Sequence, residues 1–119
     1  MEAKTVSAAK DTVLSFLEAL NAEDFQQARE YVSDDLSFVG VLGTRNGADA
    51  YFKDMQNMRF KYDIKKVFAD GDDVCVLYDI NMGGTKIFTC GWYKVKEDKI
   101  QSFQVVFDPR PVLEKAPKK

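Results

Sequence analysis

The chain contains no histidine. That removes the commonest general base, the commonest metal ligand and the only side chain whose ordinary titration falls near neutral pH. Acid–base chemistry would have to come from carboxylates, tyrosines or an activated thiol. The two cysteines, Cys75 and Cys90, are too few for a disulfide scaffold and too isolated for a zinc site. Both are expected as buried free thiols, with no metal and no cofactor. No apolar run approaches the roughly 20 residues that span a bilayer, and MEAKTVSAAKDT lacks the apolar core of a signal peptide, which points to a cytoplasmic protein with no membrane partner. The 17 basic and 19 acidic residues are dispersed, without the basic patch that nucleic-acid binding draws on, so no nucleic-acid partner is expected.

What is present fits one domain. With 119 residues, 45% hydrophobic and 30% charged, the chain can bury a sizeable core without staples. The core is expected over residues 6–108, and prolines at 109, 111 and 117 turn the Lys-rich end, 109–119, into a loose tail. Apolar residues at Val6, Ala9, Val13, Phe16, Leu17 and Leu20 predict an amphipathic helix from about Val6 to Leu20, capped by Thr5 or Ser7. Asp24 caps a second helix, Phe25 to about Val32. Ser33-Asp34-Asp35 reads as a break before a short strand, Leu36–Val39, with Leu36 and Phe38 on one face. Gly40, Gly43 and Gly47 punctuate a loop, and a third helix, Ala48–Met58, carries Tyr51, Phe52, Met55 and Met58 on its apolar side.

The last half reads as strands. Phe60, Tyr62 and Ile64 alternate to one face of FKYDIKKVF until Lys66 breaks the pattern, where a bulge is expected. VCVLYDINM and TKIFTCGWYKV form a hairpin about Gly83-Gly84, so partners have numbers summing to 167: Tyr78 with Thr89, Val76 with Gly91, Val74 with Tyr93. One face then carries Val74, Val76, Tyr78, Ile80, Ile87, Thr89, Gly91 and Tyr93, the other Cys75, Leu77, Asp79, Phe88, Cys90 and Trp92. At Lys96-Glu97-Asp98-Lys99, a three-residue loop with Asp98 left-handed brings Phe103, Val105 and Phe107 onto the first face. A two-residue loop would bring Ile100, Ser102, Gln104 and Val106 there instead, and the first choice buries more apolar surface.

The segments AREYVSDDLSFVG, RNGADAYFKDM and GWYKVKEDKIQSFQVVFDP, in this order, make the chain resemble the nuclear-transport-factor-two-like superfamily, which holds SnoaL-like domains and ketosteroid isomerase. The resemblance covers nearly the whole chain. It implies an α+β fold, cone-shaped, with a curved, mostly antiparallel sheet wrapped around three N-terminal helices and a pocket between them. The pocket expected on the inner face is lined by Phe16, Phe38, Phe52, Met55, Tyr78, Thr89, Gly91, Tyr93, Phe103, Val105 and Phe107, with Gly91 opposite Val76 leaving a side-chain-sized space. The alternative is that these rings fill the space themselves.

The chemistry that the resemblance implies loses its groups here. The ketosteroid isomerase base position falls on Gly40, the oxyanion tyrosine on Phe16 and the sheet aspartate near Gly91 or Tyr93; that enzyme is a standard example of pKa tuning. Epoxide hydrolases of this fold need an Asp-Arg-Asp arrangement, but their final-strand aspartate falls on Val105 and no arginine is expected on the sheet. Dehydratase and cyclase relatives lean on histidine. Catalytic residues are therefore left unassigned. Asp63 and Asp79 are expected on the outer face, Asp79 near Lys86, and Arg45 and Asp108 at the pocket rim, each pairing on the surface or capping a turn.

The outer face is too apolar for a monomer, and Cys75, Leu77, Phe88, Cys90, Trp92 and Val106 are expected to form a homodimer interface with Trp92 at its centre. Three functions fit the residues: a domain binding a small apolar or aromatic ligand without turnover; an isomerase-, cyclase- or hydrolase-type enzyme using pocket tyrosines and a carboxylate; or a dimerising scaffold with a vestigial cavity.

Overall fold

A computed structural model describes residues 2–41 and 43–111, with side chains from residue 8 onward. The elements are α1 (Glu2–Asn21), α2 (Phe25–Arg29), β1 (Val32–Val39), β2 (Thr44–Asn46), α3 (Ala48–Met58), β3 (Lys61–Asp70), β4 (Asp73–Met82), β5 (Thr85–Lys96) and β6 (Lys99–Phe107). The strands join in one sheet in the order β2-β1-β6-β5-β4-β3. β1 runs parallel to β6 and every other pair is antiparallel, so the sheet is mixed, curved and unclosed, and the fold is α+β.

The helical stripe predicted from the sequence is the one that is buried. Ala9, Val13, Phe16, Leu17 and Leu20 of α1 all lie in the core, against the inner faces of β3, β4 and β5. Burying each of the larger side chains contributes roughly 1.5–3 kcal/mol. The helix starts earlier than expected, so Thr5 and Ser7 lie inside it rather than capping it. Val6, expected in the stripe, falls outside the described side chains. Asp24 does cap α2, its carboxylate accepting the Gln27 N–H at 3.1 Å.

Two boundaries differ from the sequence reading for one reason. α2 stops at Arg29, and Val32, expected at its end, is the first residue of β1, paired with Ile100 and buried. Pairing with β6 outweighs the helical spacing. Ser33-Asp34-Asp35 is no break but part of β1, arched outward where the register shifts between Val32 and Ser37. The arch leaves both aspartates exposed.

The β4–β5 register follows the Gly83-Gly84 loop as predicted, with Tyr78 opposite Thr89, Val76 opposite Gly91 and Val74 opposite Tyr93. The bulge in β3 falls one residue before Lys66: Ile64 pairs with Tyr78 and Lys66 with Leu77, leaving Lys65 unpaired. That extra residue turns Val67 and Ala69 inward against Val76 and Val74.

The β5–β6 loop corrects the sequence reading in its mechanism. It has two residues, not three: Lys96 pairs with Lys99, and Glu97 and Asp98 both have positive φ, 54° and 64°. Two successive left-handed residues make the type I′ turn that suits a two-residue hairpin. Phe103 and Val105 still face inward because the register slips at Gln101: Val95 pairs with Ile100, but Lys94 pairs with Ser102 and Tyr93 with Phe103. Ile100 is thereby also buried, which neither simple loop allowed together with Phe103. The tail expected over 109–119 lies, from residue 112, outside the described residues.

α1 is tied to the β3 edge by one side chain. The Asn21 amide donates to the Tyr62 carbonyl at 2.8 Å and accepts the Tyr62 N–H at 2.7 Å, replacing the ladder partner that an edge strand lacks. Lys61 adds bonds to the Asn21 carbonyl and to Glu23, both at 2.8 Å. Asn21→Ala leaves both Tyr62 backbone groups without these partners and is expected to cost about 1–3 kcal/mol. Urea unfolding checks the magnitude, and hydrogen exchange at the Tyr62 amide should accelerate; unchanged exchange there would show that the clamp carries no load.

Candidate functional site

Six aromatic rings close the deep end of the expected pocket. Tyr93 and Phe103, opposite each other on β5 and β6, stack at 4.7 Å with planes 12° apart. Phe16 from α1 packs edge-on to Phe52, Tyr93 and Phe103 at 6.0–6.4 Å. Tyr51 and Phe38 complete the group, 5.2 Å apart. Edge-to-face and offset contacts of this kind add roughly 0.5–1.5 kcal/mol each beyond area burial.

Gly91 sits where the sequence reading left a space, and the structure fills it. A Cβ at Gly91 would overlap the Tyr78 hydroxyl and come 2.8 Å from Tyr93 Cε1. The two hydroxyls use the room to bond each other at 2.6 Å. Thr89 is buried too, its hydroxyl donating to the Ile87 carbonyl at 3.1 Å.

A cavity of about 190 Å³ remains nearer the open end of the sheet. Of the residues expected to line it, Phe38, Met55, Tyr78, Phe103, Val105 and Phe107 do so, whereas Phe16, Phe52, Thr89, Gly91 and Tyr93 stand behind its wall. The reason is ring volume: the phenols over Gly91 close what an empty glycine site would have opened. Residues not foreseen supply the rest. β3 and β4 contribute Tyr62, Ile80 and Met82, the connection just before β3 contributes Phe60, and α3 contributes Tyr51, Asp54 and Met58. The signal for Tyr62 was in the register, since it pairs with Ile80, one inward step from Tyr78. Tyr51 lies one helical turn before Met55.

The mouth is polar and was only half legible. Gly40, Val41, Gly43 and Arg45 form its rim. Arg45 was expected in a loop but belongs to β2, so an arginine does lie on the sheet. Its Nε bonds Asp54 Oδ2 at 2.5 Å, which ties the β2 edge to α3 across the opening. A three-residue strand between glycines carries too little alternation to be read from sequence. Asp108, the other rim candidate, is instead engaged by Arg110 at 2.6 Å, and the guanidinium beside it holds its carboxyl below the usual range.

The cavity wall holds phenols but one carboxylate. Burial pushes Tyr51, Tyr62, Tyr78 and Tyr93 above the ordinary phenol pKa, so all four are neutral hydrogen-bonding groups rather than bases. Among the described residues Asp54 is the one carboxylate lining the cavity, and Arg45 engages it. Asp63 and Asp79 face outward as expected, but Lys65 is their partner, at 3.0 and 3.6 Å, not Lys86. Among the described residues no three Cys, Asp or Glu side chains gather as a metal site requires.

On the outer face, Phe68, Phe88, Trp92 and Val106 are 55%, 59%, 46% and 52% exposed, with Cys75, Leu77 and Cys90 half-buried between them. Cross-strand pairing makes them one patch: Phe68, Cys75 and Trp92 form one row, Leu77, Cys90 and Val106 the next. Phe68 had been missed because the Lys65 bulge shifts its phase. Trp92 donates its indole N–H to Asp73 at 3.0 Å, and the Lys94 ammonium lies 5.4 Å from its ring.

With that geometry the chain belongs to the SnoaL-like domain family, whose model matches residues 13–103. A solved NTF2-like protein of unknown function from Cytophaga hutchinsonii is 43% identical to it, covering 88% of this chain and 94% of that one at a TM-score of 0.87. An LEH-like epoxide hydrolase from M. tuberculosis is 24% identical, covering 92% and 89% at 0.79. A de novo designed protein with a curved β-sheet is 19% identical, covering 87% and 88% at 0.74. These last two share the fold alone. No curated protein matches the sequence.

The four raised phenols give a pH test. Below the ordinary phenol pKa the folded and unfolded chains are both protonated there, and stability is unaffected. As pH rises through about 10, only the unfolded chain loses those protons, so stability falls. Ultraviolet titration should show four tyrosines ionising only together with alkaline unfolding, as followed by circular dichroism. Reversible ionisation of these four in the folded protein, before unfolding, would contradict their burial.

Proposed function

We propose that the protein binds one small apolar or aromatic molecule in this cavity and does not transform it. The carrying observation is an apolar, open-ended cavity in which Asp54, the one carboxylate lining it among the described residues, is already paired with Arg45. Its volume of about 190 Å³ compares with the roughly 150 Å³ of a dry cavity that takes up benzene. A molecule of one or two rings fits that scale. The family positions that resemblance links to catalysis point the same way: Gly40 and Val105 do line the cavity and carry no ionisable group. The enzyme alternative, of isomerase, cyclase or hydrolase type, would have to work through Asp54 and neutral phenols.

Three of the four methionines, Met55, Met58 and Met82, line the cavity. Their labelled methyl groups are therefore reporters of occupancy. Titration with one- and two-ring aromatic probes such as indole and naphthalene should shift all three signals saturably, with one probe per chain. Signals that stay fixed up to the solubility limit of the probes would refute the binding reading and leave a scaffold with a vestigial cavity.

A second reading concerns the outer face. We infer that two copies meet there as a homodimer, because the contiguous exposed patch of Phe68, Phe88, Trp92 and Val106 favours burial over wetting. Cytoplasmic residence belongs to the same proposal; the free Cys75 and Cys90 in that patch suit a reducing compartment. Light scattering at micromolar concentration should give twice the chain mass, and Trp92→Glu should halve it while preserving the circular dichroism. A monomeric wild-type protein with solvent-exposed Trp92 emission would refute the dimer.

A further inference from the structure

Packed rings close the deep end of the cavity, so the mouth is the route between it and water. Gly40, Gly43 and Arg45 form one side of that mouth, and Asp54 and Met58 of α3 form the other. The bond from Arg45 Nε to Asp54 Oδ2 joins the two sides. The guanidinium also donates from Nη1 to the Thr44 carbonyl at 3.0 Å. It lies over the bare backbone of Gly43, with Nη1 3.7 Å from where a Cβ would stand. Of these neighbours, Asp54 is the one across the opening.

Neither end of the pair is locked by burial. The Arg45 and Asp54 side chains are 46% and 28% exposed. Each can swing into water about its own side-chain bonds, which strands no charge in apolar surroundings. The backbone under Arg45 is lightly held as well. β2 is a three-residue strand at the end of the sheet, ladder-paired to β1, and Gly47 follows it at φ 95°, a conformation suited to glycine. Ion pairs of such exposure are weak and open readily. A charge-assisted bond, and not packed side chains, therefore stands between an apolar cavity and solvent.

Resting on the binding reading above, we propose that the Arg45–Asp54 pair is a side-chain latch, which an apolar ligand must open to enter or leave and which re-forms behind it. The pair is broken only while the ligand passes, and it is intact in both the empty and the occupied protein. It sets how fast a ligand exchanges and contributes little to how tightly the ligand is held. The cavity's size allows re-closure. Its volume of about 190 Å³ exceeds the roughly 150 Å³ that takes up benzene, so a one-ring molecule leaves the mouth clear.

Toluene, a neutral one-ring molecule, is the probe, and line shapes of the labelled Met55 and Met82 methyl signals give its association and dissociation rates. Asp54→Asn and Arg45→Gln should each raise both rate constants about three- to tenfold, the scale of one partly exposed charge-assisted bond. The ratio of the two constants should move much less than either. Asp34→Asn breaks an ion pair outside the cavity lining and should leave both rates at the wild-type value. In the unaltered protein, dissociation should quicken between about 0.01 M and 1 M sodium chloride, because salt screens an exposed pair. That measurement needs no variant to fold. Wild-type rates in both variants, an effect confined to the equilibrium constant, or a dissociation rate flat in salt overturns the latch and leaves the binding reading intact. Methionine signals unmoved by saturating toluene overturn the binding reading and the latch with it.

Discussion

The hydrogen bond between Tyr78 and Tyr93 across Gly91 is the constraint on which the interior depends. It exists because residue 91 has no side chain; any Cβ there would occupy the place of the Tyr78 hydroxyl. The bond holds Tyr93 flat against Phe103, and Phe16 then packs edge-on to both, which anchors α1 to the middle of the sheet. With the deep end closed by rings, the empty volume is left between α3 and the ends of β1, β4 and β6. Fold and cavity position thus follow from one missing side chain and two hydroxyls.

Two register slips do comparable work in the sheet. Without the extra residue at Lys65, Val67 and Ala69 would face solvent, and without the one at Gln101, Phe103 and Val105 would. A strand shifted by one residue exchanges its faces completely. Each bulge therefore decides which half of its strand joins the core.

The architecture was legible where alternation met a glycine turn. Gly83-Gly84 fixed the β4–β5 register residue by residue, and the third helix ends where its apolar stripe ends. Phe103 and Val105 were assigned inward through the wrong loop length, because burying rings is the correct criterion whichever device achieves it. Val32 was misread because its parallel partner Ile100 is distant in sequence and no local pattern announces it. The cavity was half legible. Sequence tells which residues face inward, but whether rings fill or frame the space depends on their volumes in three dimensions. Arg45 is legible as a rim residue, but its strand is not, because a three-residue edge strand has no readable period.

The same scaffold is shared by an LEH-like epoxide hydrolase and by a designed protein, so activity resides in side chains and not in the fold. Here those side chains offer shape, apolar surface and neutral donors. The most direct measurement is native mass spectrometry of protein freshly purified from its own cells. The binding account predicts folded ions carrying the excess mass of one small molecule, released on denaturation to leave the bare chain. Folded ions at the mass of the bare chain alone would contradict it.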